Sequence, residues 1–295
     1  METRIISSGE DCSRMLDFLR NRADGVYISS NVTSVGWEDN GNLFHGTYVI
    51  LQSSAKKNIM AMLCHCWNRK ILISSEPQVS GKELRNALAL CLSRTAGRHV
   101  DGFLGTSYNV KKLLEACELL DLPTQLHSSQ IMLVCELNCM KIVEGTPVAR
   151  PANLENLELL NKWTCEFLAE TNQRSCPSEE IDDLLKYQIE EKKRWILVEE
   201  DETIVSMAAI NAMANGSVMI GAVYTPVEFR SNKYARTLLS GMLHFMQKEM
   251  EISRAFLFTS DSYALRAYTA IGFKECGEYA IHLLKNPIDM CSALI

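Results

Sequence analysis

"VYTPVEFRSNKYARTLL" (residues 223–239) runs from the end of a strand through a bend and a short basic loop into a helix. Pro226 cannot donate to a β-ladder, so the strand stops before it. From about Lys233 onward, Leu238, Leu239, Met242, Leu243 and Met246 fall on one helical stripe. Arg230, Lys233 and Arg236 stand where that helix begins. Cations are unfavourable at the positive end of a helix dipole, so an anion is expected to offset them. The first backbone N–H groups of a helix point outward without intrahelical partners. Together with the dipole they form a site for phosphate oxygens. Three cations within a few residues of such a site suit a pyrophosphate.

The elements around this stretch follow from periodicity. "VARPA" reads as a short strand, and Asn153 caps a helix carrying Leu157, Leu160, Trp163, Phe167 and Leu168. "SEEIDDLLKYQIEEKK" is a second helix with Ser178 as its cap. Three strands follow, "RWILVEE", "TIVSMAAINAM" and "SVMIGAVYT", with turns expected at Asp201-Glu202 and Asn215-Gly216. Past the basic loop and its helix come the strand "RAFLFTS", the helix "DSYALRAYTA" capped by Asp261 or Ser262, and a closing strand. The order β-α-α-β-β-β-α-β-α-β predicts an α+β sheet with helices on both faces. The first half repeats this pattern in blurred form: a helix "CSRMLDFLRNRA", strands "HGTYVILQSS" and "NIMAMLCHCWN", helix "GKELRNALALCLSRTAG", strand "VDGFLGT", helix "SYNVKKLLEACELL" and strand "SQIMLVCELN". Gly145, Pro147 and Pro151 mark the junction, giving expected domains 1–145 and 146–295.

Composition narrows the function. The 295 residues carry 47% hydrophobic and 22% charged side chains, a globular balance, and a net charge of −6 argues against general nucleic-acid binding. The 11 cysteines are odd in number and lack the spacing of a disulfide framework, so a reducing, cytoplasmic compartment is expected. The N-terminal sequence shows no secretory signal pattern, and no apolar run is long enough to span a bilayer. In "CHCW", Cys64 and Cys66 share one face of a strand while His65 faces the other, which is poor metal geometry, so no metal is expected.

The loop also carries a resemblance. The pattern [Q/R]-x-x-G-x-[G/A], placed between a strand and a helix, characterises the GNAT acetyltransferase superfamily. Arg230 fits its first position and Ala235 its last, while Lys233 stands where the family has glycine. Downstream, "DSYALRAYTAIGF" is similar to the family's [N/D]-x-x-A-x-x-x-Y-x-x-x-G-[F/Y] pattern at Asp261, Ala264, Tyr268, Gly272 and Phe273. The resemblance covers residues 148–285 in detail, and the element order of the first half implies a degenerate second copy, as in tandem members.

The resemblance implies transfer of the acetyl group of acetyl-CoA, a substrate, to a primary amine whose identity is open: small molecule, peptide or protein. It implies that Ala222, Val223 and Tyr224 hold the thioester, and that Arg230, Ser231, Asn232, Lys233, Tyr234, Ala235 and Arg236 hold the pyrophosphate. Tyr268 is the implied proton donor to the departing thiolate, and Glu228 is the candidate base, with Glu199 and Glu200 close in sequence to the first turn of the meander. The alternatives are a catalytically inactive binding protein on the same fold and a glycine N-acyltransferase-like enzyme using a longer acyl-CoA. The first half has no comparable basic loop before its "LRNALALCL" helix, so no coenzyme is expected there.

Overall fold

A computed structural model describes residues 1–290 apart from 43, 44, 56, 96, 144, 146 and 172–177, with the backbone alone for 178–180. Cys176 and the capping side chain of Ser178 lie outside the described residues. The first half runs β1 (Glu2–Ile5), α1 (Gly9–Leu19), α2 (Val26–Val35), β2 (Gly46–Gln52), β3 (Ile59–Cys66), β4 (Lys70–Ser75), α3 (Gly81–Arg94), β5 (Val100–Thr106), α4 (Ser107–Ala116) and β6 (Thr124–Glu136). The second runs β7 (Val148–Pro151), α5 (Leu157–Glu170), α6 (Ser178–Glu190), β8 (Arg194–Val198), β9 (Ile204–Ala214), β10 (Ser217–Tyr224), α7 (Tyr234–Glu249), β11 (Arg254–Thr259), α8 (Ser262–Ala270) and β12 (Lys274–Ile288).

The second half has the expected order. Asn215 and Gly216 take φ of 53° and 69°, the paired positive values that a tight β9–β10 hairpin requires. Asp261 caps α8 by accepting from the N–H groups of Tyr263 at 2.6 Å and Ala264 at 3.3 Å. In the first half three elements went unread: β1, α2 and β4. β1 has four residues. α2, "VYISSNVTSV", is rich in β-branched and hydroxyl side chains with weak helix propensity, and two of its hydroxyls bond back to carbonyls one turn earlier. α4 stops at Ala116 rather than continuing to Leu120, and Glu118 just beyond it takes a left-handed φ of 58°.

Two compact units emerge, each with its own core. Unit 1 comprises Met1–Ile131 and Gly277–Ile295, and unit 2 comprises Met132–Cys276. In unit 1 the strand order is β1-β2-β3-β4-β5-β12-β6, with β4 and β5 parallel and β12 antiparallel to β5. In unit 2 it is β6-β11-β10-β9-β8-β7, with β10 and β11 parallel. β6 begins in unit 1 and ends in unit 2, while β12 does the reverse. The last strand of the chain therefore lies inside the first unit's sheet, where Ala280 and Leu284 join the core formed by Leu63, Leu88 and Phe103. In unit 2, α5 and α6 cover β8–β10 through Leu160, Trp163, Leu185, Ile196, Met207 and Tyr224. The long charged and polar faces of these helices stay in solvent, as amphipathic helices require.

Candidate functional site

In unit 2, β10 loses register against its antiparallel neighbour β9, and its parallel pairing with β11 stops at Met219. Against β9, Gly221 pairs with Ala209 but Tyr224 pairs with Met207, so β10 carries one extra residue there. Ala222 sits in that bulge with φ 46°. A second irregularity lies just upstream, where Met219 pairs with Ala212 and Ile220 with Ile210, leaving Asn211 as the extra residue on β9. The Asn211 amide lies over Gly221 so closely that a Cβ there would come within 2.0 Å of Nδ2, and any larger residue requires the exposed Asn211 side chain to move. Against β11, the register runs from Ser217–Arg254 to Met219–Phe256. Past that point β10 and β11 share no ladder among the described residues. Bulges of this kind re-aim backbone groups and end pairing.

The basic loop follows. Pro226 begins a single turn of tighter helix at Val227–Phe229, and α7 then starts at Tyr234. Ser231 and Lys233 both take φ of 69°, the left-handed region. Lys233 thus adopts the conformation that glycine supplies in the family pattern, and its side chain gives the helix no capping bond. Thr237 is the first residue to donate back into the helix, to the Lys233 carbonyl at 3.1 Å. Among the described residues, the N–H groups of 231–236 have no acceptor, and α7 has no acid in its first turn. Lys233 and Arg236 likewise have no ion-pair partner among the described residues. Backbone of alternating hand with outward N–H groups makes an anion-binding concavity.

Arg230 is placed differently. Its Nη2 donates to both carboxylate oxygens of Glu170, at 2.8 and 2.7 Å, and its Nε donates to the Thr225 carbonyl at 2.9 Å. Glu228 is exposed on the one-turn helix. Glu199 accepts from the Tyr234 hydroxyl.

Tyr268 lies on α8, directly after β11, with 6% of its surface exposed and its ring 6.2 Å from that of Phe273. Its hydroxyl has no hydrogen-bond partner among the described residues. Burial, followed by the Asp261 carboxylate, pushes its pKa well above the ordinary phenol value. The side chain therefore stays protonated and keeps an O–H to donate.

Unit 1 shows the same strand–helix step in closed form. At the start of α3, Ser80 and Glu83 cap each other, with the Glu83 carboxylate accepting from the Ser80 N–H at 2.9 Å. The bond from the Ser80 backbone holds the Glu83 carboxyl below its ordinary pKa. The positive end of that helix already has its anion. Beside it, at the end of β4, Arg22 Nη2 donates to the Ser75 carbonyl at 2.7 Å, and the Ser75 hydroxyl donates to buried Asn109 at 2.8 Å. In "CHCW", Cys64 and Cys66 are buried with their sulfurs 3.6 Å apart, while both ring nitrogens of His65 are engaged, by Thr95 and by the His99 carbonyl.

Residues 167–282 match the model of the acetyltransferase (GNAT) domain. That stretch, less than half of the chain, is similar to the family's acetyltransferase domain. A UPF0039 protein of Schizosaccharomyces pombe is 31% identical over 75 residues, which is 25% of this chain and half of that protein's length. Across nearly the whole chain the similarity is one of fold. A Drosophila protein matches with a TM-score of 0.65 at 11% identity, covering 96% of this chain and 99% of that one. A GCN5-related N-acetyltransferase of Sphaerobacter thermophilus matches at 0.59 and 16% identity, covering 95% and 94%. A tandem GNAT protein from the clavulanic acid biosynthesis pathway matches at 0.53 and 11% identity, covering 95% and 97%. The chain has the tandem GNAT fold, α+β with a mostly antiparallel sheet in each unit. Sequence reasoning missed Asn211 and Glu170. A glycine inside a strand, such as Gly221, is the kind of signal that marks a close approach but does not name Asn211, and nothing local ties Glu170 to Arg230 across 60 positions.

Proposed function

We propose that unit 2 is an N-acetyltransferase that moves the acetyl group of acetyl-CoA to a primary amine by direct attack. The observation that carries this reading is the uncapped N-terminus of α7, which follows β10 through the basic loop. The N–H groups of 231–236, with the Lys233 and Arg236 cations, would hold the diphosphate. The pantetheine arm would run between the C-terminal ends of β10 and β11, where the bulged backbone at Ala222–Tyr224 would turn an N–H toward the thioester carbonyl. That donor stabilises the oxyanion as the amine lone pair attacks. Glu228, through water, takes the proton that the amine gives up. The C–S bond then breaks, and the electron pair leaves on sulfur. A phenol held above its ordinary pKa does not ionise to protonate a thiolate, so Tyr268 acts by donating a hydrogen bond to the sulfur. Holding both reactants in line supplies much of the rate.

Among the described residues no helix is long and apolar enough to cross a membrane, and no group of three or more metal-capable side chains gathers. Thiol release from acetyl-CoA in the presence of a panel of primary amines tests the reading. Glu228→Gln is expected to lower kcat about a hundredfold. Failure of every amine together with no calorimetric binding of acetyl-CoA would overturn it, and faster release from longer acyl-CoA would redirect it to a longer acyl donor.

A further inference from the structure

Two non-glycine residues at positive φ, Ser231 and Lys233, hold the anion-binding loop in a conformation that L-residues adopt at a cost. Such strain persists only where the surroundings over-determine it. Two contacts do so, one at each end of the loop, and each ends on a carboxylate from a different element. At the entry, Arg230 is held by Glu170 at the end of α5 and by the Thr225 carbonyl, with its guanidinium 5.7 Å above the Tyr224 ring. At the exit, the Tyr234 hydroxyl donates to Glu199 next to the end of β8. Glu170 does more than pair with Arg230. Its Oε1 lies 3.3 Å from the Tyr224 hydroxyl, which also donates to Glu166 at 3.0 Å, one helical turn earlier. The Tyr224 ring packs edge-on to Phe167 and beside Trp163, both on α5. One carboxylate thus ties the last residue of the bulged strand and the first residue of the loop to the same helix.

Resting on the coenzyme reading above, we infer that Glu170 is a positioning residue. It acts through Arg230 and Tyr224 to keep the bulge and the anion-binding loop in their working shape, and Arg230 is the strap of that loop rather than a phosphate ligand. The guanidinium commits Nη2 to Glu170 and Nε to Thr225, whereas Lys233 and Arg236 are the cations left for the ligand. The distinction has chemical content. A phosphate ligand at 230 would be needed as a cation whatever happens at 170. A strap is needed only as one half of an opposite-charge pair, so its sign can be exchanged with its partner's.

The experiment compares the full chain with Glu170→Gln, Arg230→Gln and the exchanged pair Glu170→Arg/Arg230→Glu, reading coenzyme A affinity by calorimetry and amide hydrogen exchange of residues 226–236. The expected result is about a tenfold loss of affinity and faster loop exchange in each single variant, with both recovering to within about threefold in the exchanged pair. Loss of affinity in Arg230→Gln that is absent in Glu170→Gln and unrecovered in the exchanged pair overturns the inference, since Arg230 would then touch the phosphate itself. If the unaltered chain binds no coenzyme A, the functional reading fails and hydrogen exchange alone decides. Faster loop exchange in the single variants supports the strap, and unchanged exchange overturns it.

Discussion

Lys233 pays about 1–2 kcal/mol to sit at a left-handed φ that glycine takes freely. Lys233→Gly removes that strain but adds freedom to the unfolded chain, leaving a net gain of up to about 1 kcal/mol. Denaturant unfolding is expected to show the higher midpoint, and calorimetry a severalfold weaker affinity for coenzyme A, because one cation has gone while the amides remain. Tyr268→Phe is the complementary case. It deletes a donor to the departing sulfur, so kcat is expected to fall about 10- to 100-fold with little change in coenzyme affinity. His65 sets a pH dependence. Its Nε2–H donates to the His99 carbonyl, so its Nδ1 accepts from the Thr95 hydroxyl, and burial depresses its pKa from 6.5 to about 4. The unfolded chain binds this proton first as pH falls. Stability is therefore lost between about pH 6.5 and about pH 4, by up to roughly 3 kcal/mol. A His65→Gln variant is expected to lose that part of the slope in a pH series of denaturant midpoints. The residues of the loop were legible in the sequence because their charges and spacing are local. The commitment of Arg230 was not, because Glu170 belongs to a helix far upstream.

At the scale of elements, the mouth of the site is made by two misfits in the β9–β10 ladder rather than by either strand alone. Asn211 and Gly221 are matched across it. Gly221→Ala is expected to destabilise unit 2 by up to about 1 kcal/mol, because the Asn211 amide must swing off the strand. In a double-mutant cycle, Asn211→Ala should return most of that loss, and an additive result would mean that the two residues do not meet. The contrast between α3 and α7 belongs to this scale too. The sequence "SGKEL" contains the Ser80–Glu83 cap that closes one helix, whereas "RSNKYA" offers Ser231 and Asn232, neither of which caps the other helix, so the closed end was readable from residue types and the open end was not. The bulges were not. A period-two pattern shows which face a residue takes only while the register holds, and one extra residue erases that signal. α2 escaped notice for a related reason, since its β-branched sequence becomes helical only by packing Ile28 and Val32 against the β2–β3 sheet.

Over the whole molecule, the exchange of β6 and β12 makes each unit depend on a distant part of the chain. Both strands were readable, but neither names its partner, and the expected break near residue 145 rests on Gly145, Pro147 and Pro151. A chain truncated after Cys276 lacks the strand between β5 and β6 of unit 1. It is expected to lose the cooperative unfolding of that unit and to expose the Leu63–Phe103 core to hydrophobic dyes. A fragment beginning at residue 146 lacks the β6 residues that pair with β11 in unit 2, and is expected to bind coenzyme less tightly than one beginning at residue 132. The central claim is that the open end of α7 grips a diphosphate and the closed end of α3 does not. Backbone-amide NMR during titration with acetyl-CoA tests it most directly. The account predicts saturable shifts at residues 231–236 and around Ala222, with residues 80–84 unmoved. Shifts centred on residues 80–84, or none at 231–236 under saturating ligand, would contradict it.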